Sequence, residues 1–411
     1  MAAVGCFLLL LCASTWFALG FCRDVQRVVE RYVPDYEHYH NVSSLIRFLG
    51  SFSAAHEGFV RLDDSYKSRL ANPVFVLRLT NFSASEKRKI KILFSYGEHA
   101  REFFPVESML HFLKKTLQAK NENSAKSASF ILDNFDVFIV PMLNPDGRLY
   151  VEKTNNYCWR GTATGVDVNR NFDWCFGGGG SSNDSRDEEY RGLYPFSEPE
   201  AQLLRNVATR HSFDAFVSFH SGIKQIYVPF SDSLSRKIKR RHHNEEEELR
   251  LAAAMASAAG AQFSYGVGYE LSSYPADGAS FDYMAGKRNM PFSLAVELWG
   301  RDKEDSDDDD TCFDLFNPTS TGLQGELEGV FPMYDAFFQF LFDWKMKQRF
   351  LKDPLPHMAE PLDSELEISA FQIAYFFAAV ILVAITLRKL HRSLRLKNRI
   401  IRLSSLGDSL G

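Results

Sequence analysis

Cysteine is scarce. Six occur in 411 residues, too few for the disulfide-dense scaffolds that stand in for a core in small secreted domains. Net positive charge is lacking over most of the chain. The net charge is −5, yet residues 388–411 carry seven Lys/Arg against one Asp, which leaves −11 on the rest. An acidic body argues against nucleic acid as a partner. No internal repeat is found, so a solenoid is excluded. What is present is ordinary for a globular chain: 45% hydrophobic and 24% charged residues, enough to build a sizeable core and to exclude wholesale disorder.

Two uncharged runs set the expected compartment. Residues 4–21 are apolar, with the small residues Ala18 and Gly20 before a candidate cleavage site. This reads as a signal peptide over 1–20, or as an uncleaved anchor, although its start lacks the usual positive charge. Residues 368–387 hold no charge and are followed at once by Arg388, Lys389 and Arg392. Twenty helical residues span roughly 30 Å, the thickness of a bilayer core, and the basic flank marks the cytoplasmic side. The expected order is a body at 21–350, a Pro-containing stalk at 351–367, one transmembrane helix at 368–387 and a basic cytoplasmic tail at 388–411. The body would then lie outside the cell or in the secretory or endosomal lumen. Sequons at Asn41, Asn81 and Asn183 fit that side. Cys158 and Cys175 flank one loop and form the expected disulfide.

Within the body, strand-length apolar runs at 74–77, 90–94, 137–140, 215–219 and 292–296 alternate with helical patterns at 105–119, 198–211, 248–259 and 328–348. That alternation predicts an α/β fold, with a mixed, mostly parallel central sheet and helices on both faces. Two charged stretches, 236–248 and 301–310, read as surface insertions, and the first is expected at the rim of a binding site.

Chemistry concentrates at strand ends. Gly97-Glu98-His99-Ala100-Arg101-Glu102 follows the run 90–94, so one turn can aim His99 and Glu102 at one point. Imidazole and carboxylate are good zinc ligands, and a catalytic zinc site needs a third protein ligand and an open position. His220 closes the run 215–219 and is the candidate. Ligands on two strand ends could meet at the carboxyl edge of the sheet.

From about Tyr36 to about Arg349 the sequence resembles the zinc metallocarboxypeptidases of the carboxypeptidase A/B type. The motifs occur in the family order: His99-Ala100-Arg101-Glu102, Asn144-Pro145-Asp146-Gly147, Trp159-Arg160, Asp167-Val168-Asn169-Arg170-Asn171, the stretch 195–200, His220-Ser221, then Tyr274 and Glu297. The resemblance implies one zinc ion per chain on His99, Glu102 and His220, and peptide or protein C-termini as substrates. It implies Glu297 as general base and Arg160 as stabiliser of the oxyanion. Asn169 and Arg170 would clamp the terminal carboxylate, Arg101 would assist further out, and Tyr274 would close over the bound residue. The family's inhibitory pro-domain and trailing β-sandwich are not expected.

The position that aligns with the pocket floor is Phe281, which implies an apolar or aromatic C-terminal residue; Asp277 nearby implies the opposite. Two other readings stand beside the membrane-anchored carboxypeptidase. One is a non-catalytic peptide-binding ectodomain, and the other is a zinc amidase or isopeptidase on the same scaffold.

Overall fold

Eight strands form one sheet in the order β1-β2-β4-β3-β5-β8-β6-β7. They are β1 (Val60–Lys67), β2 (Pro73–Leu79), β3 (Ile90–Tyr96), β4 (Phe135–Val140), β5 (Ala215–His220), β6 (Ile223–Val228), β7 (Ser264–Val267) and β8 (Phe292–Trp299). The computed structural model describes residues 33–118, 122–260, 262–300 and 312–352, with single positions at 385 and 388. The chain divides into two compact units, Met1–Lys347 and Gln348–Gly411, and the sheet lies in the first. The expected signal peptide, the stalk beyond residue 352, the apolar run 368–387 apart from Ile385, and the acidic stretch 301–310 lie outside the described residues. Among the described residues no helix is long and apolar enough to cross a membrane.

The sheet is mixed, as the alternation predicted. The neighbours β4-β3-β5-β8 run parallel, while β1, β2 and β6 add antiparallel pairs. All five apolar runs are strands; β1, β6 and β7 lie outside those five runs. Their residues are polar or half-exposed, which is what a strand near an open edge of the sheet looks like.

Side chains of the central strands alternate between two separate cores. Ile92, Phe94, Val217, Phe219, Leu294 and Val296 fill one face. There the helix Pro332–Lys352 brings Tyr334, Phe337 and Phe338 against them. Leu93, Phe216 and Ala295 face the other side, under the helices Pro199–Arg210 and Ser280–Gly286. Each fully buried Phe contributes about 2 kcal/mol. The helical pattern 328–348 is two helices, Leu323–Val330 and Pro332–Lys352, because Pro332 has no N–H to continue the first.

The expected Cys158–Cys175 disulfide is corrected. Cys158 is bonded to Cys312, with Cα atoms 5.1 Å apart across a separation of 154 residues. Phe313, next to Cys312, packs edge-on against Tyr39, Phe103 and Tyr157, and this aromatic packing delivers the sulfur. Cys175 sits in a left-handed turn, φ 48°, as a free thiol. Burial, followed by a hydrogen bond to Asp232, pushes that thiol up to about 12.

At the start of the helix Pro199–Arg210, Glu200 is fully buried, with Oε2 unpartnered. Burial, reinforced by Glu198 and Asp146, raises its carboxyl to about 7 from 4.5. A raised folded-state pKa adds stability that is complete below about 4.5 and lost as pH rises through about 7. Glu200→Gln should therefore gain under about 1 kcal/mol at pH 5 and about 3 kcal/mol at pH 8. Denaturation midpoints across that range check this; a variant less stable than wild type at pH 8 refutes it.

Candidate metal centre and cavity

The polar residues of the three central strands lie on one face at one end. Ser95 of β3 pairs in register with Ser218 of β5, and His220 of β5 pairs with Glu297 of β8. Gly97, at φ 65°, turns the chain after β3 so that His99 and Glu102 fold back over this edge. The two halves of the ligand set thus come from neighbouring parallel strand ends, where such sheets bind ligands.

Three donor groups converge there. His99 Nδ1 and His220 Nδ1 are 3.1 Å apart. Glu102 Oε1 is 2.6 Å from the first and Oε2 is 3.0 Å from the second. All three side chains are buried. Burial opposes the charge on Glu102, but the two imidazoles outweigh it and hold the carboxyl far below its usual range. Burial likewise opposes charge on His220, yet Glu102 raises its pKa in the metal-free site, so zinc binding there must displace a proton. Two imidazole nitrogens and a carboxylate form a donor set that fits zinc, so these residues fit the ion that the sequence motifs imply.

A frame of hydrogen bonds holds the turn. Arg148 is buried; its Nε donates to Ala100 O at 2.8 Å and its Nη2 to Glu102 O at 2.7 Å, while its guanidinium lies 3.5 Å over Phe103. Asn144 Nδ2 donates to Glu98 O and Gly161 O. Asp167 Oδ1 stands 3.3 Å from His99 Nε2, and its Oδ2 accepts from Arg160 Nε at 2.8 Å. Burial alone would raise the Asp167 carboxyl, but Arg160, His99 and Arg170 keep it well below the usual range. None of these supporting roles was assigned from the sequence. The signals were there: Arg148 follows the Asn144–Gly147 motif, and Asp167 opens the next.

A cavity of about 580 Å³, its open mouth included, is lined by His99 and His220 of the donor set. Arg160, Asn169, Arg170, Tyr274, Phe281 and Glu297 all line it. Glu297 Oε2 has no hydrogen-bond partner, and burial pushes this carboxyl up to about 7. Asn169 Nδ2 is 3.3 Å from His220 Nε2. Arg170 Nη2 donates to Glu189 Oε1 at 2.9 Å. Its backbone is crowded by Gly278, φ 85°, where a Cβ would come within 2.2 Å of Arg170 O. Tyr274 is 60% exposed at the rim.

Arg101 is not in the lining. Its Nη1 donates to Cys158 O and to Glu188 Oε2, and its guanidinium lies 4.1 Å over Phe316. The stretch 236–248, expected at the rim, is also outside the lining; Arg236 instead donates to Ser272 O and Ser273 O, behind Tyr274. Asp277 is withdrawn too. It is fully buried and accepts from Gly180 N, Ser233 N and Ser233 Oγ.

The donor set predicts about one zinc per chain in the purified protein and its loss in His220→Ala, read by elemental analysis. Full occupancy in that variant would remove His220 from the ligand set.

A sequence profile described as zinc carboxypeptidase matches residues 45–331. Mouse carboxypeptidase A1 is 29% identical over 276 residues, covering 64% of this chain and 63% of that protein. The chain therefore spans less than two thirds of that relative's length. Human carboxypeptidase O is 28% identical over 308 residues, covering 68% of this chain and 78% of that protein. Among solved structures, carboxypeptidase A from Helicoverpa armigera superposes with a TM-score of 0.64, at 21% identity and 74% coverage of each chain, a likeness of fold. The match of residues 45–331 decides the assignment: the chain belongs to the zinc carboxypeptidase family.

Proposed function

We propose that the protein is a zinc metallocarboxypeptidase that removes single C-terminal residues from peptides or proteins. One observation carries the reading. Two of the three grouped donors (His99 and His220), an unpaired carboxylate (Glu297), a guanidinium (Arg160), a carboxylate clamp (Asn169 and Arg170) and the apolar Phe281 all line one cavity.

Bound zinc would lower the pKa of a coordinated water and polarise the scissile carbonyl. Glu297 Oε2 is the free acceptor for a proton from the attacking water, and its raised pKa suits it to return that proton to the departing amine. Arg160, oriented by Asp167, meets the negative charge that develops on the carbonyl oxygen. Arg170 takes the substrate's terminal carboxylate through its fork, exchanging it for Glu189. Tyr274, exposed at the rim, covers the bound residue.

The apolar run 368–387 and the basic residues after it support a membrane anchor, with the catalytic body outside the cell or in a lumen.

Glu297→Gln keeps the shape and removes the acceptor. Zinc should stay bound while kcat falls by about 10²-fold or more; near-normal kcat with zinc intact would exclude Glu297 as the base.

For specificity, Phe281 is 4% exposed and lines the cavity, whereas Asp277 is outside the lining and spent on Gly180 and Ser233. An apolar side chain gains about 2 kcal/mol on burial, whereas Lys or Arg would lose hydration without a counter-charge. Release of Phe, Leu, Tyr or Met should exceed that of Lys or Arg by at least tenfold in kcat/KM. Phe281→Asp should reverse the order. Preferential release of Lys or Arg by the wild type, read on a C-terminally varied peptide library, refutes the assignment.

A further inference from the structure

We propose that Glu98 is a positioning residue for the metal. Acting through Ser218, it holds His220 in the tautomer that leaves Nδ1 bare. This inference rests on the zinc reading above.

Glu98 has no place in the catalytic scheme, yet it is fully buried beside the ligands. No Lys or Arg pairs with it among the described residues; the one ion-pair contact is His220 Nε2, 3.7 Å from Oε2. Its partners are hydroxyls instead. Oε1 accepts from Ser95 Oγ and from Ser218 Oγ, each at 2.7 Å. Ser280 Oγ adds longer contacts of 3.5 Å to Oε1 and 3.4 Å to Oε2. The three serines come from β3, β5 and the start of the helix Ser280–Gly286, so the carboxylate collects one hydroxyl from each.

The direction of these bonds follows from proton counting. An ionised carboxylate only accepts, and a serine hydroxyl has one proton to give. Ser218 gives its proton to Glu98 and presents only lone pairs to its other neighbour. That neighbour is His220 Nε2, at 2.6 Å, which must then carry the hydrogen. A metal-bound imidazole is neutral and has one N–H, so with that hydrogen on Nε2 the His220 Nδ1 is left with its lone pair. Nδ1 is the atom that faces His99 and Glu102. The opposing influence is Asn169. Its Oδ1 is taken by Ser280 N, so its Nδ2 donor faces Nε2 at 3.3 Å. That contact favours the other tautomer, but it is longer and weaker than the 2.6 Å bond to Ser218. His99 is handled on the opposite side, where Asp167 Oδ1 stands 3.3 Å from its Nε2.

The test reads zinc affinity rather than turnover. In the full-length protein in detergent, the zinc dissociation constant is measured by competition with a chelator. Thermal midpoints of the metal-free forms are recorded in parallel to separate folding from binding. Glu98→Gln introduces an amide that can donate, which frees the Ser218 proton for Nε2. Ser218→Ala removes the link itself. Each should weaken zinc binding by about 10- to 100-fold, the usual effect of losing a partner behind a metal-bound histidine. The double variant should be no weaker than the weaker single, since both act through one chain of bonds. If Glu98→Gln fails to fold, Ser218→Ala alone decides. Zinc-binding wild type with wild-type affinity in both variants, or strictly additive losses, overturns this inference alone. A wild type that takes no zinc overturns the metal reading and this one with it.

Discussion

His99 Nδ1, His220 Nδ1 and the Glu102 carboxylate meet within 3.1 Å in the protein interior, and much of the surrounding structure keeps them there. Burying three polar groups at one point is costly, so the arrangement needs outside support. Parallel pairing of β3, β5 and β8 brings the strand ends together. Arg148 and Asn144 then pin the turn that carries His99 and Glu102 through its carbonyls. A buried Arg without an acidic partner is costly; here two carbonyls and the Phe103 ring take its place.

Charge around the cavity is handled in pairs. Asp167 serves His99 and Arg160 at once, which links the ligand turn to the loop bearing Arg160; Ala100 N, bonded to Arg160 O, repeats the link in the backbone. Two consecutive acids, Glu188 and Glu189, hold Arg101 and Arg170. The Arg170–Glu189 pair joins a buried guanidinium to a carboxylate that is partly open to solvent. Glu297 stands apart as the acid with an unpartnered oxygen, and burial is what raises its pKa.

Acids close to the apolar floor are kept out of it by backbone N–H groups. Asp277 is held by Gly180 and Ser233, and Asp282 by Ser231 and Asp232. Burial, with Asp232 adding to it, raises the Asp282 carboxyl well above its ordinary range. Each ties a loop beside the cavity to the helix Ser280–Gly286 or its approach. They shape the pocket without placing charge in it.

The strongly apolar strands and most helices were legible because burial on both faces demands continuous hydrophobic runs, and because motifs at strand ends keep their order. The sequence alone determined the ligand candidates His99, Glu102 and His220, the cavity residues Arg160, Asn169, Arg170, Tyr274 and Glu297, and Phe281 as a candidate floor. It could not determine contacts between residues far apart in the chain. Cys158 joined Cys312 rather than the nearby Cys175 because aromatic packing at Phe313, not loop length, decides which sulfurs meet. The choice between Phe281 and Asp277 depended on which side chain faces the cavity, and four residues of spacing do not encode that. Glu98 read as one charge in a turn; only the fold brings Ser95, Ser218 and Ser280 around it. A local pattern records what a residue can bond to, and the tertiary structure decides what lies within reach.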